Sequence, residues 1–310
     1  MKKCSIWPQQ DGILVLNKPS GPSSAACIAP IKRHLGQKKI GHAGTLDPMA
    51  SGVLIVLLGQ ATKLSGHLMA AGKKIYAGTL RLGETTDTWD STGEVVARRD
   101  ASGVSREMLA ASVASWIGET RQEVPPYSAA KHQGKPLYAM ARKGLETPVK
   151  TKTVLISHAE IEWVDLPLCR FRVACASGTY IRSLAHSLGI RLGCGAALTE
   201  LTREYSHPFG LADAVGLDEL LAEPQAFPAR VIPLEKALPD WAVIRLRRDQ
   251  AEKVRNGMRI SSEDDAPLPQ DFAPGLKALM LDETGKALAL MEGMLHAGKP
   301  CWSIMRGLWN

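Results

Sequence analysis

The unbroken apolar run Val53-Leu54-Ile55-Val56-Leu57-Leu58, closed by Gly59, reads as a strand buried on both faces, because a strand with one wet face would alternate apolar and polar positions. Residues 12–17 read as a shorter strand, and Lys18-Pro19-Ser20-Gly21-Pro22-Ser23-Ser24 then turns the chain. Residues 24–35 predict a basic helix whose start Pro30 would delay, or whose axis it would kink. Residues 60–71 predict another helix, ending near Gly72. Alternation predicts strands over residues 74–82 and 94–99, with an acidic, hydroxyl-rich loop at 83–93 between them. That loop lacks EF-hand ligand spacing, so no calcium site is expected.

Residues 105–117 predict a helix with Ser105 as its N-cap. The stretch from Pro125 to Gly144 is basic and rich in turn residues, with a helix expected at 136–143, and reads as an inserted, mobile element. Strands are expected at 153–164 and 169–176, the second directing Cys169, Phe171, Val173 and Cys175 inward. Gly178-Thr179 breaks it, and Ile181, Leu184, Leu188 and Leu192 then fall close to one helical face before Gly193 and Gly195. Five prolines from Pro208 to Pro239 mark a shift in composition, and a domain boundary is expected near residue 237. Beyond it, strand-like runs at 242–246, 276–281 and 287–292, with a helix at 249–255, predict a small, mostly β module of about seventy residues.

With 310 residues, 45% hydrophobic and 22% charged, the chain has room for one large domain with an appendage, or for two domains. No apolar stretch reaches the length that spans a bilayer. Met1-Lys2-Lys3-Cys4 is basic but lacks the apolar core of a signal peptide. The six cysteines (Cys4, Cys27, Cys169, Cys175, Cys194, Cys301) form no Cys-x-x-Cys pair and no zinc-spaced set with histidine. Reduced thiols in a cytoplasmic protein, and no metal, are expected. The net charge of +7 suits an anionic partner. Its placement is more telling: residues 31–39 carry Lys32, Arg33, Lys38 and Lys39 with no acid. Residues 121–152 carry seven lysines and arginines against Glu123 and Glu146. Such clusters suit a surface that tracks phosphates, although either alone would read as a solvated face.

The candidate chemistry centres on Gly41-His42-Ala43-Gly44-Thr45-Leu46-Asp47-Pro48-Met49-Ala50-Ser51-Gly52, which sets one carboxylate in a glycine-punctuated loop against the buried run. An acid on a turned loop beside a rigid strand suits a nucleophile or a general base. Pro48 biases Asp47 toward an extended backbone. Read alone, Asp47-Pro48 is an ordinary turn. The loop resembles the catalytic signature of the TruB family of tRNA pseudouridine synthases, and further segments match that family in the same order. These are Lys18-Pro19, Lys73-Lys74-Ile75-Tyr76-Ala77-Gly78, Pro126-Tyr127-Ser128-Ala129-Ala130-Lys131 with Gly134 and Leu137-Tyr138, Ser177-Gly178-Thr179-Tyr180-Ile181-Arg182-Ser183-Leu184-Ala185, and Leu198-Thr199-Glu200-Leu201-Thr202-Arg203. The resemblance is strong from Asp11 to roughly Tyr205 and weak beyond.

The resemblance implies an α+β pseudouridine synthase fold with a long mixed, mostly antiparallel central sheet and the active cleft across its middle. Residues 1–236 would form the catalytic domain, with an RNA-clamping insertion at 121–152, and residues 237–310 a small PUA-like RNA-binding domain. Asp47 would be catalytic, acting on the sugar as nucleophile or as base. Arg182 would pair with it, since a buried carboxylate needs a cationic partner and arginine offers paired donors. Tyr180 would line the pocket, Tyr76 would stack on the base and share in proton transfer, and Leu201 would close over it. His42 would support the space left by a base that leaves its stack. Lys131, Lys135, Arg142 and Lys150 would contact phosphates, with Lys18 added to the RNA-binding set although its first role is to support the active-site loop. Lys150-Thr151 stands where many relatives have Arg-Pro, which keeps the charge but loses bidentate geometry.

The implied activity is isomerisation of uridine 55 in the T-arm of tRNA, by a monomer that needs no cofactor, metal or membrane. A tRNA-folding chaperone using the same cleft is a second reading. A guide-dependent synthase is a third, against which the basic insertion argues. A hydrolase using Asp47 and His42 is remote, because no nucleophile, base and orienting group come together in the sequence.

Overall fold

The computed structural model describes residues 8–70 and 72–309. The N-terminal reading at Met1–Cys4 lies outside the described residues, as does Ala71 at the end of the second expected helix. Strand β1 (Gly12–Lys18) turns into helix α1 (Ser24–His34), where the Ser23 hydroxyl accepts from the Ala26 amide. The helix runs through Pro30 instead of starting after it. The Ser23 cap and the burial of Cys27 and Ile31 offset the bond that proline removes. Strands β2 (Ile40–Ala43) and β3 (Ala50–Leu58) pair around the Asp47 loop, which is therefore shorter than expected, with His42 on β2. A 3₁₀ turn (Gly59–Leu64) and α2 (Ser65–Ala70) stand where one helix was expected.

Next come β4 (Lys74–Leu82) and a small hairpin, β5 (Glu84–Thr86) with β6 (Val95–Arg98), which frames the acidic loop. Helix α3 (Arg106–Ala114) is capped by Ser105, and β7 (Gly118–Glu123) follows. The insertion holds a two-residue-wide hairpin, β8 (Lys131–His132) with β9 (Lys135–Pro136), and α4 (Leu137–Ala141). The chain returns through β10 (Thr151–Asp165), β11 (Leu168–Cys175), α5 (Ile181–Arg191) and β12 (Ala196–Ser206), then short β13 (Phe209–Gly210) and β14 (Val215–Gly216).

Ten strands make one sheet in the order β14-β1-β3-β12-β4-β11-β10-β7, with β2 beside β3 and β13 beside β12. The β1–β14 and β3–β12 pairs are parallel and the others antiparallel, so the sheet is mixed and mostly antiparallel. A second sheet orders β15 (Ala242–Arg245), β17 (Lys277–Leu281), β18 (Ala287–His296), β19 (Lys299–Gly307) and β16 (Ile260–Ser261). Among the described residues no helix is long and apolar enough to cross a membrane.

Burial explains the unbroken run on β3. Leu54, Val56 and Leu58 join a core with Leu16, Cys27 and Ile31. Val53, Ile55 and Leu57 face the other way, into a core that includes Leu279, Leu281 and Leu290 of the second sheet. Each such side chain stabilises by roughly 1.5–3 kcal/mol on burial. β3 is therefore a rigid base for the loop at its N-terminal end.

Candidate active site

The Asp47 loop is tied down from two sides. On one side the Lys18 ammonium donates to the carbonyls of Pro19, Pro48 and Ala50 at 2.8, 3.2 and 2.7 Å. The Gly21 amide donates to Pro48 O, and Ser24 Oγ both accepts from the Leu46 amide and donates to its carbonyl. On the other side Arg203, 1% exposed, donates from Nη2 to Gly44 O and from Nε to Val53 O, each at 2.7 Å. Gly44 has φ +78°, and a β-carbon there would sit 3.4 Å from Arg203 Nη1. Glycine fits this left-handed turn at no steric cost.

The loop presents Asp47 to Arg182, at the first turn of α5. Arg182 Nε and Nη2 donate to Asp47 Oδ2 and Oδ1 at 2.9 and 3.1 Å, a bidentate pair. Arg182 is 3% exposed, while the Asp47 side chain is 36% exposed, so the pair is anchored inside and open on the carboxylate side. Two further donors are used: Nη1 to Thr88 O and Nη2 to Tyr127 O, both at 2.9 Å. Asp90 is buried and stands 3.6 Å from Nε, adding a second carboxylate to the same cation. The acidic loop at 83–93 thus serves to hold Arg182.

Asp47 and Arg182 line a cleft of about 320 Å³ together with Tyr76, Tyr180, Leu201 and Arg203. Tyr76 on β4 and Leu201 on β12 are each 7% exposed, and Leu201 is registered opposite Gly78 and Ala50 at the middle of the sheet. Burial pushes the Tyr76 phenol up, against the pull of Arg203, so it stays protonated and can donate. Tyr180 begins α5, and its backbone is held by the Gln122 amide, which accepts from Tyr180 N at 2.7 Å and donates to Tyr180 O at 3.4 Å. Gln122 and Lys152 are cross-strand neighbours on β7 and β10, and the Lys152 ammonium lies 4.4 Å from the Tyr180 ring centroid. Among the described residues, no three of His, Cys, Asp and Glu gather as metal ligands.

Residues 32–181 match the family described as TruB family pseudouridylate synthase (N terminal domain). A protein named tRNA pseudouridine synthase B from Nitratidesulfovibrio vulgaris is 61% identical over 302 residues, 97% of this chain and 99% of that relative. The chain belongs to the TruB family. A relative of the same name from Geobacter sulfurreducens is 41% identical over 256 residues, 82% of this chain and 84% of its own. Among solved structures, a chain of a Cbf5-Nop10-Gar1 complex matches with a TM-score of 0.73 and 25% identity, over 97% of this chain and 86% of that one. A chain from an H/ACA RNP bound to a substrate RNA containing 2′-deoxyuridine matches with a TM-score of 0.71 at 24% identity. The α+β pseudouridine synthase fold is the one present, with the second sheet as its PUA-like part.

In this TruB-family isomerase the structure brings five expected residues together: Asp47, Tyr76, Tyr180, Arg182 and Leu201. His42 stands apart from those that line the cleft, on β2 opposite Val56, with its pKa lowered by burial and then by Arg203. Lys18 corrects an expectation. It is 0% exposed with its ammonium on three carbonyls, so it braces the Asp47 loop, the role expected of it first, but has no free face for RNA. Lys131, Lys135 and Arg142 are exposed on the insertion. Lys150 is half-buried and donates to Lys131 O, closing the insertion on itself. Arg203, Asp90 and Gln122 were not anticipated as site residues. The available signal was a charged or amide side chain inside a strand or tight loop whose neighbours are buried.

Proposed function

We propose that this chain converts uridine 55 in the T-arm of tRNA to pseudouridine, without a guide RNA. The observation that carries this reading is the Asp47 carboxylate, held by two guanidinium bonds and left open toward a cleft walled by Tyr76, Tyr180 and Leu201. A cleft of this size accepts one nucleotide, so the uridine must leave its stack to enter it. The two relatives named above, both tRNA pseudouridine synthase B, support the tRNA substrate.

In the proposed reaction the N1–C1′ bond breaks, the uracil turns over, and a C5–C1′ bond forms. C5 loses a proton and N1 gains one, so the change is an isomerisation with no net redox step. Asp47 acts on the sugar, as nucleophile or as base. Arg182 holds it aimed through two parallel hydrogen bonds. Tyr76 stacks on the base and, as a protonated phenol, offers a hydrogen bond. Lys131, Lys135 and Arg142 grip the RNA from the insertion at 121–152, which is why no guide is invoked. Residues 237–310 form a second RNA-binding domain in this reading.

The test is purified protein with an unmodified T-arm hairpin, no cofactor or metal added, and pseudouridine scored by carbodiimide labelling and primer extension. One modified uridine in the T-loop is expected. Asp47→Asn should abolish it and leave hairpin binding within a few-fold. Binding without product in the unaltered protein would favour a tRNA-folding chaperone. Product from Asp47→Asn would remove Asp47 from the chemistry.

A further inference from the structure

Lys74 and Lys152 enter from β4 and β10, the two strands that flank β11, and both reach the loop that follows β11. The Lys74 ammonium donates to Ser177 Oγ at 3.1 Å and lines the cleft. The Lys152 ammonium lies over the Tyr180 ring and beside Gly178, where an added β-carbon would stand 3.0 Å from it. Gly178 has φ +85° and no side chain, so the backbone between the two lysines can be approached closely. Lys74 is 6% exposed and Lys152 half-buried.

Among the described residues neither ammonium forms an ion pair with a carboxylate. Asp47 is taken up by Arg182, and Arg203 adds further positive charge against Lys74. Burial lowers the pKa of both lysines, as expected for cations taken from water without an anionic partner. Ordinary folding disfavours such unpaired buried charge, and it persists where a ligand supplies the anion. The base held in the cleft is neutral, so the anion must come from the backbone of the RNA.

We propose that Lys74 and Lys152, with Ser177-Gly178 between them, bind a phosphodiester adjacent to the nucleotide held in the cleft. The inference rests on the RNA reading above. Lys152 is oriented by the Tyr180 ring, so one group would sense both the base pocket and the phosphate beside it.

The test uses T-arm hairpins in which the phosphate 5′ or 3′ of the target uridine is replaced by a neutral methylphosphonate, with Lys152→Gln and Lys74→Gln as variants. Melting temperatures establish that the variants fold, and two variants guard against loss of one. For the unaltered protein, one of the two neutral linkages should weaken binding by roughly three- to tenfold. Each variant should lose a similar factor on the ordinary hairpin and nothing further on that neutral one. The slope of log K against log salt should fall in each variant, by up to about 0.7 for the one phosphate involved. Variants with unchanged affinity and salt slope, or with the same further loss on every neutral linkage, would overturn the site. An unaltered protein that neither binds nor converts the ordinary hairpin would overturn the RNA reading itself, and this site with it.

Discussion

Arg182 joins four pieces of chain at one planar group: the Asp47 loop, the acidic loop through Thr88 and Asp90, the insertion through Tyr127, and its own helix. A guanidinium can do this because its five donors lie in a fixed fork. Lysine at this position would keep the charge and lose the fork. We expect Arg182→Lys to slow single-turnover conversion by roughly 10²-fold, the scale of a 1 Å misplacement of a reacting group. The loss of two buried carbonyl bonds should destabilise the fold by about 1–3 kcal/mol. Hairpin binding should change little. A variant that turns over like the unaltered protein would show that charge alone suffices. At this scale the motif around each residue made Asp47, Tyr76, Tyr180, Arg182 and Leu201 legible. Asp90 and Arg203 were not legible in the same way, and Lys18, legible as a support of the loop, was not legible as closed to RNA. A charge in a sequence reads as solvated, and only packing reveals that Lys18 and Arg203 are enclosed with carbonyls as partners.

The parallel pairing of β3 with β12 positions the site, and Gly52 is where it is tightest. Gly52 is registered against both Lys18 on β1 and Arg203 on β12, the two braces of the Asp47 loop. Its φ is +100°, and a β-carbon would meet Arg203 O at 2.3 Å. Backbone cannot yield there without opening the ladder. Gly52→Ala should therefore cost about 2–4 kcal/mol, lower the Tm by roughly 3–6 °C, and reduce activity even below the melting range. A thermal scan with an unchanged Tm would contradict this. β3 was readable because both its faces are apolar, and β4 and β11 were readable from their alternation. β12 is not legible as a strand from its sequence. Its pairing with β4 slips between Leu198 and Glu200 and again between Arg203 and Tyr205, so bulges break the period of two. β19 is hidden for a related reason: Cys301 and Trp302 are adjacent and both buried, which no simple alternation predicts.

At the scale of the whole molecule, burial on both faces of the long sheet leaves three histidines poorly hydrated. They are His42 on β2, His67 on α2 and His186 on α5. Burial lowers the pKa of each, helped by Arg203 at His42 and by Lys277 at His67, and opposed by Glu123 at His186. In the unfolded chain an imidazole titrates near 6.5. Protons therefore bind the unfolded state more readily, and stability present above about pH 6.5 is lost as pH falls through the lower folded values. The Tm should drop between pH 7.5 and 5.5, before carboxylates titrate near 4. His186 also ties this loss to function. Its ring stacks on Trp89 at 4.3 Å and 6°, and Trp89 lies between Thr88 and Asp90, which hold Arg182. Charging His186 should loosen that loop before the molecule unfolds. His186→Phe keeps an aromatic face and removes that titration, so it should flatten the acid side of the rate profile and lessen the acid slope of the Tm profile, to which His42 and His67 still contribute. A rate profile that keeps its full acid slope in His186→Phe would place the sensitive group elsewhere.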